Sequence, residues 1–344
     1  MISRKSILAV FACGVIALGV AACGSSSNNS SSGPLTGAGS TLIAPLMSKW
    51  QSDYSSRTSN TVTYGAIGSG GGIEQITAGT VDFGASDAPF TADQQSAAPD
   101  VLMVPWALSS TDPVYNVSGV ADGLHLDGKT LADIYLGNIT TWNDPAIAKL
   151  NPGTNLPSTK ITPVYRSDGS GDTYVLTDYL SKVSPEWKSK VGVGTEVKFP
   201  TGVGGKGNDG VSAVLGKTDG AIAYVGAAYA QSNGFNQMAM ENAAGSFLQP
   251  SLKSISAAAA AVTGVPSNNA VSLTDPPASA KDAYPLATYT YALVPSNSDK
   301  ADALKEFLTY AIGPGQSYGP DLLFANLPSQ ILSADKATIN KIGG

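Results

Sequence analysis

The chain has 344 residues, 42% hydrophobic and only 13% charged, which supplies a sizeable globular core and about two domains' worth of length. Its formal charge is −6, and loss of Arg4 and Lys5 with an N-terminal leader makes it −6 − 2 = −8. That balance argues against nucleic acid as a partner.

Residues 1–22 begin with basic Arg4 and Lys5, continue through an apolar run from Ile7 to Val20 and end on Ala21-Ala22, the layout of an export signal too short and too rich in Gly and Ala to span a membrane. The sequence Val20-Ala21-Ala22-Cys23 resembles the lipobox of bacterial lipoproteins, in which the cysteine carries lipid and becomes the mature N-terminus. Residues 23–33 are then a flexible tether of Ser, Asn and Gly. Because Cys13 leaves with the signal and Cys23 is lipidated, no thiol remains for a disulfide, a metal or redox chemistry.

Beyond the tether, apolar β-type segments alternate with helical ones, an α/β pattern. The turn Gly37-Ala-Gly-Ser-Thr41 runs into a helix marked by Ile43, Leu46, Met47, Trp50 and Tyr54. Residues 61–67 read as a strand that enters a second turn, Gly68-Ser-Gly-Gly-Gly72, where Ile73 and Ile76 support a helix more weakly. A strand at 81–86 delivers Asp87, and Thr91 with Gln94, like Thr130 with Asp133, has the capping-box form. The strand at 161–166 ends at Arg166 and enters a third turn, Asp168-Gly-Ser-Gly-Asp172, followed by a helix with Leu176, Tyr179, Leu180 and Val183 on one face.

Ser184-Pro185-Glu186 starts the next helix, and 221–226 and 288–294 read as strands. The alanines at 257–261 suit a helix interior. Leu304, Phe307, Leu308 and Ala311 mark a helix stopped by Gly313-Pro314-Gly315. Gly216-Lys217-Thr218 imitates the end of a Walker motif, but the glycine that motif requires falls on Val211, so the register fails. The glycines at 204–210 read as a structural loop.

Three Gly/Ser turns that each open a helix point to anion binding, since the first N–H groups of a helix lack partners and its dipole is positive there. Arg166 offers a fork of donors to a tetrahedral anion, or else pairs with Asp168 at the surface. Asp87 and Asp172 either serve helix starts or accept hydrogen bonds from a protonated ligand oxygen. Phosphate carries such hydrogens at neutral pH, whereas sulfate carries none and would face unscreened carboxylates. His125, the single histidine, lies outside the turns and forms no catalytic or metal cluster with a partner of suitable spacing.

Leu35-Thr-Gly-Ala-Gly-Ser-Thr41, Ala66-Ile-Gly-Ser-Gly-Gly-Gly72, Val81-Asp-Phe-Gly-Ala-Ser-Asp-Ala-Pro89, Gly128-Lys-Thr-Leu-Ala-Asp-Ile-Tyr-Leu-Gly137, Arg166-Ser-Asp-Gly-Ser-Gly171 and Gly204-Gly-Lys-Gly-Asn-Asp-Gly210 resemble the PstS family, the phosphate-binding proteins of phosphate ABC transporters. The resemblance runs from about Leu35 to the end of the chain. It implies a two-lobed α/β fold of the periplasmic-binding-protein type II class, with lobe I formed by 34–117 and 284–344 and lobe II by 118–283.

It further implies a monomeric binding protein without enzymatic activity or cofactor, attached to the cell membrane through lipid on Cys23 and delivering inorganic phosphate to permease subunits. By motif, the ligand is held by Thr41, the N–H of Leu42, Ser69, Asp87, Arg166, Ser170 and the N–H of Gly171. Leu42 stands where Phe is frequent in the family, and Asp172 where Thr is frequent. Asp172 adds a second carboxylate, so affinity is expected to fall as pH rises through the second ionisation of phosphate.

Overall fold

The computed structural model describes residues 33–344; the leader, Cys23 and the tether up to residue 32 lie outside the described residues. The chain opens with β1 (Leu35–Gly39), α1 (Ala44–Thr58), β2 (Val62–Ala66), α2 (Ser69–Thr77) and β3 (Phe83–Ser86). Each of the first two strands hands over to a helix across one of the expected turns. Leu46, Met47, Trp50 and Tyr54 form the buried face of α1, as their spacing requires.

Next come α3 (Ala92–Ala97), the long β4 (Val101–Asn116), β5 (His125–Leu126), α4 (Gly128–Leu136) and α5 (Pro145–Leu150). Thr91 and Gln94 form a capping box on α3. On α4 the cap differs from the sequence expectation: Asp127 is the N-cap and accepts the N–H of Thr130 at 2.6 Å, while Asp133 pairs with Lys129. Asp127 takes the N–H of Thr130 that the Asp133 side chain would have accepted in the expected box, and the helix begins about one turn earlier.

Then follow β6 (Thr162–Arg166), α6 (Gly171–Val183), α7 (Pro185–Lys190), β7 (Val203–Gly205), α8 (Gly207–Lys217), β8 (Ala221–Gly226), α9 (Ala227–Asn233), β9 (Asn236–Gln237), β10 (Ala239–Glu241), β11 (Phe247–Leu248) and α10 (Leu252–Ala260). The alanine run forms the end of α10 rather than its interior. The chain finishes with β12 (Ala287–Pro295), α11 (Ala301–Ile312) and α12 (Ser329–Ile339). Lys217 lies in the last turn of α8, the opposite end from where a phosphate-cradling lysine acts. Among the described residues no helix is long and apolar enough to cross a membrane.

The main sheet runs β2-β1-β3-β12-β4-β8-β6-β7. β1 is parallel to β2 and β3, as short strands joined by helical crossovers must be, and β8, β6 and β7 form a second parallel set. β4 joins the two sets: residues 101–110 pair with β12 and residues 111–116 with β8. A second passage lies beside it, where Thr111 N–H donates to Leu286 O at 3.0 Å.

Two large apolar clusters flank these passages. One gathers Trp50, Phe83, Trp106 and Phe307, with Trp50 and Trp106 ring centroids 5.4 Å apart; the other gathers Tyr135, Trp187, Phe199 and Tyr224. Ile255, Ala258 and Ala259 of α10 belong to the first cluster although they come from the middle of the chain.

Asp335 on α12 is fully buried and neither carboxyl oxygen meets a hydrogen-bond partner. Burial alone pushes it up to about 8. The folded protein therefore holds a proton that the unfolded chain releases near pH 4, so stability from this site falls as pH rises from about 4 to about 8. Asp335→Asn removes the ionisation, and its melting temperature is expected to exceed that of wild type by about 4 °C or more at about pH 8 but much less at about pH 5. Calorimetric melting of both proteins at the two pH values checks this; an equal difference at both would reject it.

Candidate functional site

Both parallel sets present the carboxyl ends of their strands to the same seam, and ligands of α/β sheets bind at such ends. From the first set come Ser40 and Thr41 after β1, Ser69 at the start of α2 and Asp87 just after β3. From the second come Arg166 at the end of β6, Ser170 to Asp172 at the start of α6, Asn208 in the first turn of α8 and Gly226 at the end of β8. None of the polar side chains among these is more than 6% exposed.

Asp87 is ringed by hydroxyls. Ser40 Oγ donates to its Oδ2 at 2.6 Å, Ser69 Oγ to the same oxygen at 3.3 Å and Thr290 Oγ1 to Oδ1 at 2.9 Å. Burial nevertheless pushes Asp87 up to about 7, helped by the charge of Asp172 and opposed by Ser40, Thr290 and Arg166. Asp172 lies in the first turn of α6, whose N-cap is Ser170. Its Oδ1 accepts from Thr111 Oγ1 at 2.8 Å, and its Oδ2 from Arg166 Nη1 at 3.0 Å and Asn208 Nδ2 at 2.8 Å. Burial raises Asp172 as well, against the lowering effects of Arg166, Thr111 and Asn208.

Arg166 pairs with Asp168, as one of its two expected roles required, but away from the open surface: the guanidinium is buried and Asp168 half-buried. Nε donates to Oδ1 at 2.9 Å and Nη2 to Oδ2 at 2.6 Å, with the guanidinium side chain 1% exposed. Burial works against its charge, and the two carboxylates outweigh that and hold its pKa above the ordinary value. The forked geometry leaves one hydrogen on each terminal nitrogen uncommitted.

The glycines of the second and third turns meet each other. Gly70 N–H donates to Gly169 O at 3.0 Å. Gly68 adopts φ 92° at the start of α2, and a Cβ there would press on Asp168 and on the carbonyl of Gly169. A Cβ on Gly171 would overlap the Asp87 side chain. Missing side chains thus let two backbones close on one another, beyond any room they leave for a ligand.

Of the residues expected from sequence, Thr41, Ser69, Asp87, Arg166, Ser170, Gly171 and Asp172 converge here. Leu42 is also here, with its N–H on Ser40 Oγ at 3.0 Å. His125 lies elsewhere, exposed and stacked on Phe247 with centroids 4.3 Å apart. Among the described residues no three or more His, Cys, Asp or Glu side chains gather as a metal site.

Four side chains that complete the cluster were not singled out beforehand: Ser40, Thr111, Asn208 and Thr290. Ser40 and Asn208 sit inside quoted motifs and so carried a signal. Thr111 and Thr290 carried none, because their partners are 61 and 203 residues away.

The family model for a PBP superfamily domain matches residues 24–314. A phosphate-binding protein PstS of Xylella fastidiosa is 42% identical over 307 residues, covering 88% of this chain and 84% of that protein. The PstS of Pasteurella multocida is 43% identical over 312 residues, covering 88% and 89%. The chain belongs to the PstS family. Among solved structures, a high-affinity periplasmic phosphate-binding protein bound with phosphate aligns with a TM-score of 0.72 at 21% identity, over 88% of this chain and 93% of that one. A putative phosphate ABC transporter substrate-binding protein from Clostridium perfringens aligns at 0.64 and 14% identity, over 86% and 100%. These likenesses establish the two-lobed periplasmic-binding fold for this PstS-family chain.

Proposed function

We propose that this protein captures inorganic phosphate outside the cytoplasm and delivers it to the permease of an ABC transporter, as a monomer tethered through lipid on Cys23. The lobes divide as the resemblance implies, into 34–117 with 284–344 and 118–283, except that α10 of the middle segment packs into the core of lobe I, and the paired passages at Thr111 and Leu286 act as the hinge. Thr41, Ser69, Asp87, Arg166, Ser170, the N–H of Gly171 and Asp172 hold the anion, and the N–H of Leu42 joins them by turning from Ser40 Oγ. Since lobe I and lobe II each supply part of this set, ligand binding favours the closed form, which the permease recognises.

One observation carries the reading: Asp87 and Asp172 are both buried in the seam beside Arg166 and the start of α6. Such carboxylates repel a bare oxyanion and welcome one that brings hydrogens. Asp172 spends three of roughly four acceptor directions within the protein, leaving one for the ligand. Phosphate affinity is accordingly expected to weaken as pH rises through the second ionisation of phosphate, and to lose that dependence in Asp172→Asn.

Sulfate supplies the sharper test. As pH falls the raised Asp87 carboxyl takes up a proton and can itself donate to a bare oxygen; as pH rises its charge rejects sulfate. Sulfate binding to wild type is expected to tighten as pH falls from about 8 to about 5, while Asp87→Asn binds sulfate about tenfold or more tighter than wild type at about pH 8 with little pH dependence. Isothermal titration with phosphate, arsenate and sulfate checks all of this, and arsenate should compete with phosphate. No heat with phosphate, or no gain of sulfate binding in Asp87→Asn, would overturn the function or the proton-reading role respectively.

A further inference from the structure

Asn208 is fully buried and every polar atom of its carboxamide is used. Nδ2 donates to Thr41 Oγ1 and to Asp172 Oδ2, each at 2.8 Å, and Oδ1 accepts the N–H of Gly226 at 2.9 Å. The opposite amide orientation would set Oδ1 against the Asp172 carboxylate and Nδ2 against an N–H donor, so the surroundings fix the assignment. The backbone N–H of Asn208 also faces Thr41 Oγ1, at 3.4 Å.

These contacts have a consequence for the two residues that Asn208 bridges. A hydroxyl has two lone pairs and one hydrogen; with Asn208 donating to the Thr41 oxygen, the Thr41 hydrogen must point away from it, toward the seam. At Asp172 the amide hydrogen favours the ionised carboxylate and leaves it an acceptor. We infer that Asn208 is the positioning residue that sets the hydrogen-bond polarity of the site, holding Thr41 as a donor and Asp172 as an acceptor. The inference rests on the phosphate reading above and deepens it: the favoured oxyanion carries a bare oxygen toward Thr41 and a hydrogen toward Asp172. By joining the start of α1 to α6 and α8, the same amide also ties the two parallel sets together across the seam.

Asn208→Asp reverses this polarity while keeping the shape. Ionised, the new carboxylate accepts the Thr41 hydrogen and faces Asp172 with like charge. Protonated, it regains one O–H donor. Phosphate titration of Asn208→Asp is expected to show a Kd about a hundredfold or more above wild type at about pH 8, shrinking to within about tenfold at about pH 5. Asn208→Ala, which has nothing to protonate, is expected to bind about tenfold more weakly than wild type without recovering on acidification.

Thermal melting of both variants without phosphate shows whether they fold. If Asn208→Asp does not, a double-mutant cycle of Asn208→Ala with Thr41→Val takes its place, with the two losses expected to overlap rather than add. A deficit of Asn208→Asp that is the same at both pH values, strict additivity in the cycle, or wild-type affinity in Asn208→Ala overturns the inference while leaving phosphate binding intact. A wild type that takes up no phosphate overturns both.

Discussion

Arg166→Ala is expected to abolish useful phosphate binding, raising Kd by a factor corresponding to about 3–5 kcal/mol, or between about a hundred- and several thousand-fold. The buried guanidinium is committed on three sides, to both oxygens of half-buried Asp168 and to Oδ2 of buried Asp172. Its removal subtracts a donor fork from the anion and also strands the carboxylates it neutralised. Asp172, already raised by burial, loses the charge that most opposes that rise, so it takes up a proton more readily.

The variant should therefore also lose thermal stability, and lose more at about pH 8 than at about pH 5, because acid favours the neutral form of the stranded carboxyl. Arg166→Lys is expected to recover only part of the binding, because an ammonium cannot engage Asp168 through two parallel bonds while reaching Asp172. Titration calorimetry with melting curves at both pH values decides the matter. An Arg166→Ala protein that binds within about tenfold of wild type would remove Arg166 from the anion site.

Gly171→Ala should separate closure from folding. Gly171 is the first residue of α6 and its φ is not in the left-handed region, so alanine suits the local backbone and removes about 1 kcal/mol of glycine's helix penalty. Its Cβ, however, would overlap the Asp87 side chain across the seam. Either the seam widens or the Asp87 carboxyl leaves its ring of hydroxyls, at a cost of about 1–3 kcal/mol, so phosphate affinity is expected to fall about tenfold to a hundredfold. Without phosphate the seam can widen and spare the Asp87 hydrogen bonds, so the melting temperature should hold. A parallel loss of stability and affinity would mean that Gly171 serves the fold of α6 and not the meeting of the two sets of strands.

Local signals reached a good way into this structure. The apolar spacing of Leu46, Met47, Trp50 and Tyr54 marks α1 because one helix face must be buried whatever packs on it. The three Gly/Ser turns fall where the first, second and sixth helices begin, for the equally local reason that orphan N–H groups and tight turns need those residues. Where two local caps competed at the start of α4, Asp127 prevailed over Thr130, and sequence spacing offered no means to rank them.

The site was legible to the extent that its residues lie in motifs. Thr41, Ser69, Asp87, Arg166 and Ser170 to Asp172 could be named because each stands at the end of a strand or the start of a helix. Their partners could not. Ser40 and Asp87 are 47 residues apart, Thr41 and Asn208 are 167, and Thr290 and Asp87 are 203. Nor could burial of Arg166 be read from the residues of a turn, since exposure depends on what the other half of the chain lays over it.

The sequence by itself determined the α/β pattern, the Gly/Ser turns at three helix starts and the identity of the charged groups beside them, because these depend on contacts within a few residues. Only the tertiary structure decided which hydroxyls ring Asp87, that Asn208 bridges Thr41 and Asp172, and that the glycines let two backbones meet. Those outcomes depend on two parallel sets of strands turning their carboxyl ends toward one seam. There burial makes each hydrogen-bond partner, and each proton on a buried carboxyl, a property of the whole fold.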